Sequence, residues 1–365
     1  MKRVGICTLY YNNVNYGGNL QAYALQKTVS SFGYNTEVIS YYNNSRSHLF
    51  LSKLKRFIKQ DYRISKGCKI RCSAIKKYNT RIPHSKLYFY NTIEESNYTY
   101  DIIITGSDQV WNPNWINKYM SLDFVNKDKL TISYAASTGR IRLSHDEECK
   151  LKRALDNTKF ISIREKESIP ALCKLTSKNI EYVLDPTMLI NREDWNEHCS
   201  KRIIQENYIF AYYLGDNEYI RKVAKEYANR RGLKLVTLPY LNGSYRNVDD
   251  GFGDCQLFDI SPNDFISLIK YASFVLTDSF HATVFSHIFE REFLVSAKRG
   301  SEMGCRMKSL TELFGTEGRF IVEHELVTID TLLALEKSTF DINWDHFEVM
   351  RQKSLLFLME ALDDD

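Results

Sequence analysis

The sequence predicts an α/β protein built from two Rossmann-like, doubly wound domains that face a cleft. The chain has 365 residues, which is more than one hydrophobic core serves, because single cores stop growing at about 250 to 300 residues. Hydrophobic residues make up 44% of the chain and charged residues 26%, as in ordinary globular domains. Short apolar runs alternate with helix-forming segments along most of the chain, which is the pattern of parallel βαβ units.

The N-terminal domain is predicted to comprise residues 1–190. It opens with a strand over 2–9, a polar, glycine-bearing loop over 10–19 and a helix over 20–31. The later strands are nearly continuous apolar runs, as expected of buried parallel strands. The other elements predicted in this half are strands 36–41, 100–104, 131–136, 160–164 and 181–184, and helices 146–157 and 165–175.

The C-terminal domain is predicted to comprise residues 191–340. Its clearest helix start is Ser261, which is followed by Pro262 at the first helical position and by Asp264 three residues on. The same alternation of strands and helices continues through this half. The elements predicted here are strands 208–214, 233–238, 274–277 and 293–297, and helices 217–231, 261–271 and 281–289.

A last helix is predicted over 344–362, within the C-terminal residues 341–365. We expect this helix to pack back across the first domain. Two doubly wound domains joined by a short crossing bring the carboxyl ends of both sheets to one cleft, where ligands bind in this architecture. The sequence therefore predicts a ligand site between the two domains.

Residues 46–81 form a strongly basic segment. The segment contains twelve Lys or Arg residues and one acid, Asp61, in a chain whose net charge is only +4. That net charge is too small to indicate nucleic-acid binding. Apolar residues at spacings of three and four predict an amphipathic helical insertion, which either packs on its own domain or contacts anionic lipid. These apolar residues are Leu49, Phe50, Leu51, Leu54, Phe57, Ile58, Tyr62 and Ile64.

Several function classes lack their signatures in this sequence. The eight cysteines include no Cys-x-x-Cys pair, and the closest two, Cys68 and Cys72, have only His84 nearby as a further ligand, so no metal site is predicted. No Gly-x-Gly-x-x-Gly or Walker loop occurs, which argues against a dinucleotide cofactor and ATP hydrolysis. No signal-peptide run and no stretch of about 20 apolar residues occurs. We therefore expect a cytoplasmic protein, with peripheral contact to the inner face of the membrane as an open alternative.

His281 is the first candidate for chemistry. It follows the predicted strand 274–277 through Asp278, Ser279 and Phe280, and it begins the next helix. Backbone N–H groups and the helix dipole favour an anion at such a helix start, and a histidine there is placed to donate a proton to a departing phosphate. A capping or simply packed histidine is the alternative interpretation.

Cations are predicted at the same edge of the two sheets. Arg164 ends the strand 160–164, and Lys298, Arg299 and Arg306 follow the strand 293–297. Arginine binds a carboxylate or phosphate through two parallel donors, whereas lysine supplies a point charge. Each of these side chains also suits a surface ion pair, but their joint placement favours an anionic ligand.

Two polar segments of the first domain suit an acceptor with hydroxyl groups. The first is the run Asn15-Tyr16-Gly17-Gly18-Asn19, where glycines let the backbone approach a ligand and asparagines bind hydroxyls. The second is Thr105 to Asn112, a polar and aromatic set that follows a buried strand. Loops that merely cap the sheet are the alternative in both cases.

Five segments together resemble the polysaccharide pyruvyltransferase family. The resemblance implies a fold similar to that of the two-domain GT-B glycosyltransferases, with phosphoenolpyruvate as donor and no separate cofactor. It also implies a pyruvate ketal formed across two hydroxyls of a sugar, in capsular or exopolysaccharide biosynthesis. The segments that carry the resemblance are Asn15 to Gln26, Gly106 to Asn112, Arg164-Glu165, Asp185-Pro186-Thr187 and Thr277 to His281.

One position departs from the family pattern. Relatives read Arg-Leu-His or Ser-Arg-Phe-His at the donor, whereas this chain has Ser279-Phe280-His281 preceded by Asp278. The histidine matches and the arginine does not. Another cation, such as Arg306, then has to hold the charge of the donor, or the donor differs.

The resemblance assigns a role to each candidate residue. His281 and Arg164 are expected to be catalytic, with His281 as the acid or base. The acceptor is expected to be a galactose or hexosamine on a lipid pyrophosphate, with free 4- and 6-hydroxyls. The expected donor-binding residues are Arg164, Ser279, Phe280, His281, Lys298 and Arg306, and the expected acceptor-binding residues are Asn15, Tyr16, Gly17, Asn19, Ser107, Asp108 and Trp111.

Two other function classes stay open at this point. A nucleotide-sugar glycosyltransferase shares the two-domain architecture, and the helix that begins at His281 suits a diphosphate equally well. The second class is a catalytically inactive binding module, which would anchor assembly proteins through the basic segment. The missing arginine before Phe280 is the only feature that favours it.

Overall fold

The structure, a computed structural model, describes residues 2–48, 62–241, 245–298 and 302–364. Its strands form two six-stranded parallel sheets and a separate pair, with helices packed around them. The two-domain α/β fold predicted from the sequence is therefore confirmed. Most of the predicted amphipathic helix of the basic segment, residues 49–61, lies outside the described residues.

The first sheet has the strand order β2-β1-β5-β6-β7-β8, and every neighbouring pair is parallel. Its strands are β1 (Arg3–Cys7), β2 (Asn35–Val38), β5 (Ile102–Asp108), β6 (Leu130–Ala136), β7 (Phe160–Ile163) and β8 (Ile180–Tyr182), with the separate pair β3 (Tyr41–Tyr42) and β4 (Tyr88–Phe89). Its helices are α1 (Tyr16–Ser31), α2 (Tyr62–Asn79), α3 (His145–Asp156) and α4 (Ile169–Leu172).

The second sheet has the order β11-β10-β9-β12-β13-β14 and is also parallel throughout. Its strands are β9 (Tyr208–Tyr212), β10 (Lys234–Thr237), β11 (Cys255–Gln256), β12 (Phe274–Thr277), β13 (Phe293–Ser296) and β14 (Phe320–Ile321). The helices of this half are α5 (Arg192–His198), α6 (Glu218–Arg231), α7 (Pro262–Lys270), α8 (Phe280–Ile288), α9 (Glu302–Phe314), α10 (Ile329–Leu335) and α11 (Trp344–Leu362).

Helix α1 begins earlier than the sequence predicts. The side chain of Asn15 accepts a hydrogen bond from the backbone N–H of Gly18 at 3.1 Å, so Asn15 is the N-cap and the helix starts at Tyr16 rather than at residue 20. The capping oxygen satisfies an N–H group of the first turn, which offsets the low helix propensity of the glycines. The predicted loop over 10–19 is therefore wrong in its second half.

The helix predicted over 165–175 is also wrong in its extent. The chain forms a 3₁₀ turn over Lys166–Ser168 and then only the short helix Ile169–Leu172. Pro170 explains the break, because its ring clashes with the carbonyl group four residues earlier and it has no N–H to donate.

The C-terminal helix α11 packs against the first domain. The backbone N–H of Leu184 donates to the Ser354 hydroxyl at 2.9 Å, and the Tyr34 hydroxyl donates to the Leu362 carbonyl at 3.1 Å. Leu358 of the same helix is fully buried, in one hydrophobic cluster with Tyr134 of β6. The helix therefore crosses back from the second domain, while a domain boundary at residue 190 stays a prediction. No helix within the described ranges is both long and apolar enough to cross a membrane.

This packing yields a prediction on stability. We expect Leu358→Ala to lower the free energy of unfolding by about 2–5 kcal/mol, because it removes buried methyl groups and leaves a cavity. The matched control is Leu356→Ala on the same helix, where the side chain is 53% exposed and the expected loss is within about 0.5 kcal/mol. Thermal and urea denaturation measure both changes. Equal losses in the two variants would contradict the packing of α11.

Candidate functional site

The carboxyl ends of the two sheets meet, and α1 contributes its first turn to the contact. The ring of Tyr16 stacks on Phe265 of the second domain, with centroids 4.9 Å apart and planes at 8°. Arg71 of α2 also crosses the boundary, donating to the backbone carbonyl of Pro239 at 2.6 Å. Burial of Tyr16 raises its pKa to about 12, with Arg71 acting in the opposite direction. Tyr16 is thus an uncharged, buried contact between the domains, and its predicted contact with the acceptor stays a prediction.

Gly17 lies directly against His281. A Cβ atom on Gly17 would overlap the imidazole ring of His281, which belongs to the first turn of α8 in the other domain. Glycine is the residue that lets the backbone of α1 approach this ring. The contact brings together a residue predicted for the acceptor and the histidine predicted for the donor.

Arg164 is the centre of a buried charge cluster. Its terminal nitrogens lie 2.7 Å from Asp185 Oδ2 and 3.4 Å from Asp108 Oδ1, and its Nε lies 3.5 Å from Glu165 Oε1. The guanidinium group also lies 4.6 Å from the centre of the Phe280 ring, a cation–π contact across the domain boundary. Burial acts to lower the pKa of this guanidinium, but the three carboxylates outweigh burial and raise it. Arg164 therefore stays charged.

Asp185 uses both of its carboxylate oxygens. Oδ1 accepts hydrogen bonds from the backbone and the hydroxyl of Thr187, at 3.0 and 2.7 Å, and Oδ2 accepts from the Ser107 hydroxyl at 3.0 Å as well as from Arg164. Burial acts to raise its pKa, whereas His281, Arg164 and the Thr187 bonds lower it below the ordinary value. Asp185 is a permanent anion that holds the cluster together.

His281 is buried, and one of its ring nitrogens forms no hydrogen bond within the described residues. This nitrogen, Nε2, lies 3.8 Å from Asp185 Oδ1. Burial lowers its pKa, although Asp185 and Asp108 act in the opposite direction. The ring is therefore neutral at neutral pH. Ser279, the N-cap of α8, accepts from the backbone N–H of Ala282 at 3.4 Å and fixes the turn that carries the ring.

Arg306 reaches the same cluster from the second domain. Its Nε lies 3.9 Å from Glu165 Oε1, which also accepts a hydrogen bond from the Ser137 hydroxyl at 2.6 Å. When the side-chain amide of Gln109 is oriented with its oxygen towards α9, that oxygen accepts hydrogen bonds from both terminal nitrogens of Arg306, each at 3.1 Å. The side chain of Arg306 is 7% exposed. Two buried guanidinium groups, one from each domain, therefore share Glu165.

A cavity beside this cluster, with about 330 Å³ of empty space that includes open solvent, is lined in part by Arg164, Asp185 and Phe280. A second cavity, with about 200 Å³ of empty space that also includes open solvent, shares three lining residues with the first, namely Glu165, Glu167 and Arg306. No group of His, Cys, Asp and Glu side chains among the described residues is arranged to hold a metal ion.

Two of the predicted acceptor residues have buried, structural positions. Trp111 is fully buried in the core of the first domain. Asn19 is also fully buried, and its amide donates to the carbonyl groups of Asn13 and Asn15. The alternation of residue types in these segments does not show which side chain points inward, so an acceptor role for either residue stays a prediction.

The positions of Lys298 and Asp278 also differ from those expected in a simple donor site. Lys298 is exposed at the carboxyl end of β13, and Arg299 lies outside the described residues. The two carboxylate oxygens of Asp278 accept from the backbone N–H groups of Leu214 and Gly215, at 2.6 and 2.7 Å. Burial is the main cause that raises the pKa of Asp278. This carboxylate therefore fixes the loop after β9.

Sequence reasoning predicts only one of the three carboxylates of the site, Asp108. Asp185 and Glu165 stand in segments that carry the family resemblance, each just after a strand, but the sequence assigns neither a role. Gln109 is equally unassigned, although it contacts Arg306. Their position after strands of a parallel sheet was the available signal, because such residues gather at one edge.

The fold and the site together define a class of two-domain α/β proteins with a buried, charged cleft between Rossmann-like domains. The family model for polysaccharide pyruvyl transferase matches residues 15–297, and the chain belongs to this family. The resemblance noted in the sequence is thereby confirmed. Among curated proteins, none matches the sequence significantly.

Solved structures of the same fold include several UDP-GlcNAc 2-epimerases. The enzyme of Neisseria meningitidis bound to UDP-GlcNAc is 12% identical, with a TM-score of 0.54 over 99% of each chain. The S. aureus MnaA–UDP structure is 13% identical, with a TM-score of 0.55 over 96% of this chain and 91% of that one. The Rickettsia bellii enzyme is 10% identical, with a TM-score of 0.54 over 100% and 97%. At these identities the likeness shows the fold alone.

The contact between Gly17 and His281 yields a second prediction. We expect Gly17→Ala to lower the free energy of unfolding by about 1–3 kcal/mol, because the new methyl group overpacks the site. In a His281→Ala background the same change is expected to be neutral, or to stabilise by up to about 1 kcal/mol, since alanine favours a helix over glycine. Thermal unfolding of the four proteins of this cycle measures the coupling. Equal effects of Gly17→Ala in both backgrounds would contradict the contact.

Proposed function

We propose that this protein transfers the pyruvyl group of phosphoenolpyruvate to two hydroxyls of a sugar, forming a ketal and releasing phosphate. The observation that carries the proposal is the pair of buried guanidinium groups, Arg164 and Arg306, which come from opposite domains and lie beside a neutral, buried His281. Membership of the pyruvyl transferase family supplies the class of reaction.

A polyanionic donor would have to bind this cluster by exchange of contacts, because the cluster already holds more carboxylates than guanidinium groups. Arg164 and Arg306 face three carboxylates, Asp108, Glu165 and Asp185, so the cluster has one excess negative charge when the histidine is neutral. Phosphoenolpyruvate brings up to about three negative charges. The 3.9 Å contact between Arg306 and Glu165 is the longest of the four, and it is the one that a phosphate oxygen displaces most easily. Arg306 is therefore our main donor-binding residue, while Lys298 stays a proposed cation at the rim.

His281 serves as the acid in this proposal. The negative charge of the bound donor raises the pKa of the imidazole, so that the ring gains a proton when the donor binds. The proton then moves to the C3 methylene carbon, and C2 becomes an electrophile. One sugar hydroxyl adds to C2, the C2–O bond to phosphate breaks, and the second hydroxyl adds. The products are the ketal and inorganic phosphate, and the two hydroxyl protons balance the one that C3 gained and the one that phosphate carries away.

The acceptor in this proposal is a galactose or hexosamine with free 4- and 6-hydroxyls, linked to a lipid pyrophosphate. The basic segment supports the lipid linkage, because twelve cations in 36 residues favour an anionic membrane surface. We propose peripheral contact with the inner face of the membrane, which would bring the cleft to a lipid-linked sugar. Asn15, Ser107 and Asp108 remain proposed acceptor contacts at the edge of the first sheet.

The experiment that tests the function incubates the purified protein with phosphoenolpyruvate and a panel of lipid-linked and short soluble saccharides. Phosphate release and a mass gain corresponding to a pyruvate ketal are expected together. His281→Ala, and reactions without donor, are the negative controls. Transfer from a UDP-sugar without use of phosphoenolpyruvate would replace the proposal with a glycosyltransferase, and phosphate release without a ketal product would contradict it.

The proposed role of His281 predicts proton uptake on donor binding. The pKa of His281 is lowered by burial in the free protein and raised by the donor, so donor affinity should rise as the pH falls between the two pKa values. Calorimetric titration of phosphoenolpyruvate in two buffers of different ionisation enthalpy measures the protons taken up. His281→Asn, which keeps a polar side chain that does not titrate here, should abolish the uptake. An unchanged uptake in this variant would assign the proton to another group.

The proposed role of Arg306 predicts a selective loss of donor binding. We expect Arg306→Ala to raise the KM for phosphoenolpyruvate about 10- to 100-fold, since hydrogen bonds to a charged group contribute about 1.5–3 kcal/mol. The acceptor KM should change little. Lys308→Ala, on the same helix and 67% exposed, is the matched control for the loss of one positive charge. If both variants have the donor KM of the wild type, Arg306 does not hold the donor.

A further inference from the structure

We propose that Glu165 is the catalytic general base that removes the proton from the attacking sugar hydroxyl; this inference rests on the pyruvyl transfer proposed above. The residue directly follows β7 at the carboxyl edge of the first sheet, where it joins Arg164 of the same segment to Arg306 of the other domain. It lines both cavities of the cleft.

The two oxygens of Glu165 have different surroundings. Oε1 accepts from the Ser137 hydroxyl and faces both guanidinium groups, so this oxygen fixes the carboxylate in place. Oε2 is buried and has no hydrogen-bond partner among the described residues. A buried carboxylate oxygen without a partner costs free energy, and a catalytic role is one explanation for keeping it. A sugar hydroxyl that entered the cavity would donate to this oxygen.

The other carboxylates of the cleft suit this role less well. Both oxygens of Asp185 are already occupied, by Thr187 on one side and by Ser107 and Arg164 on the other. Asp108 Oδ1 faces Arg164 and lines neither cavity.

Glu167 is the closest competitor, because it lines the same cavities and also has an oxygen without a partner in the described part of the chain. Its other oxygen accepts from the Ser309 hydroxyl, and no ion pair joins it to Arg164 or Arg306 among the described residues. Glu165, in contrast, lies next to the guanidinium groups that would hold the donor, which is where the attacking hydroxyl has to be.

The step balances as follows. Glu165 takes the proton from the hydroxyl as the oxygen forms its bond to C2, and the electron pair of the former O–H bond stays on that oxygen. The proton then passes to the departing phosphate, which leaves with the electrons of the C2–O bond. Glu165 is again a carboxylate and can accept the proton of the second hydroxyl. His281 supplies the proton for C3, so the acid and the base are different residues.

Other charged or titratable groups line the cavities beside Glu165. Burial raises the pKa of Tyr182 to about 12, with Glu167 and Glu165 adding to the shift, so this phenol is protonated near neutral pH. The two guanidinium groups stay charged. The groups that line these cavities with Glu165 are Arg140, Arg164, Glu167, Tyr182, Asp185 and Arg306.

The experiment compares Glu165→Gln with Glu167→Gln under saturating donor. We expect Glu165→Gln to lower kcat about 10²- to 10⁴-fold, the usual contribution of a general base. Its affinity for phosphoenolpyruvate, measured by calorimetry, should be unchanged or higher, because a negative charge beside Arg306 is removed. Glu167→Gln should keep the kcat of the wild type.

Chemical rescue adds a readout that a purely structural role would not change. Formate added to Glu165→Ala should restore part of the lost rate, because the small carboxylate replaces the missing base in the cavity, whereas Glu167→Ala should show no such effect. If the wild type shows no phosphoenolpyruvate-dependent transfer, the proposed function fails. If the wild type is active and Glu165→Gln keeps its kcat, or loses donor binding and gains no rescue, only the assignment of Glu165 is overturned.

Discussion

Arg164 buries its positive charge at the edge of the first sheet, and the other groups of the site are arranged around that charge. A buried guanidinium group without partners would be strongly destabilising, and here three carboxylates compensate it. These carboxylates come from the ends of different strands or from the segments that follow them. Asp108 ends β5, Glu165 follows β7 and Asp185 follows β8. Compensation of one charge therefore holds the ends of three strands, β5, β7 and β8, in one arrangement.

The same constraint links the two domains. Phe280 covers the guanidinium group of Arg164 from the second domain, and Arg306 shares Glu165 with it. The glycine at position 17 lets helix α1 approach His281 closely enough to complete this interface. The cleft is thus lined by buried guanidinium and carboxylate groups that pair with one another. A polyanionic donor would have to replace some of these carboxylate oxygens with its own oxygens. Exchange at Arg306 leaves the Arg164–Asp185 pair intact.

Most of the fold was predictable because parallel strands buried on both faces give continuous apolar runs, as at 102–104 and 274–276. The errors have local causes. Asn15 caps α1 earlier than the glycines suggested, and Pro170 breaks the helix that periodicity predicted. The two-residue strands β11 and β14 were missed because so few residues establish no period.

Local patterns in the sequence were enough to predict the family, the two α/β halves and the positions of Arg164, His281 and Arg306 after strands or at helix starts. The pairing of each carboxylate with its cation, the burial of Trp111 in the core and the contact of Gly17 with His281 became visible in the folded chain alone. Contacts between residues that are tens to hundreds of positions apart depend on how the sheets and domains pack, and no local period or propensity encodes which side chain that packing leaves buried.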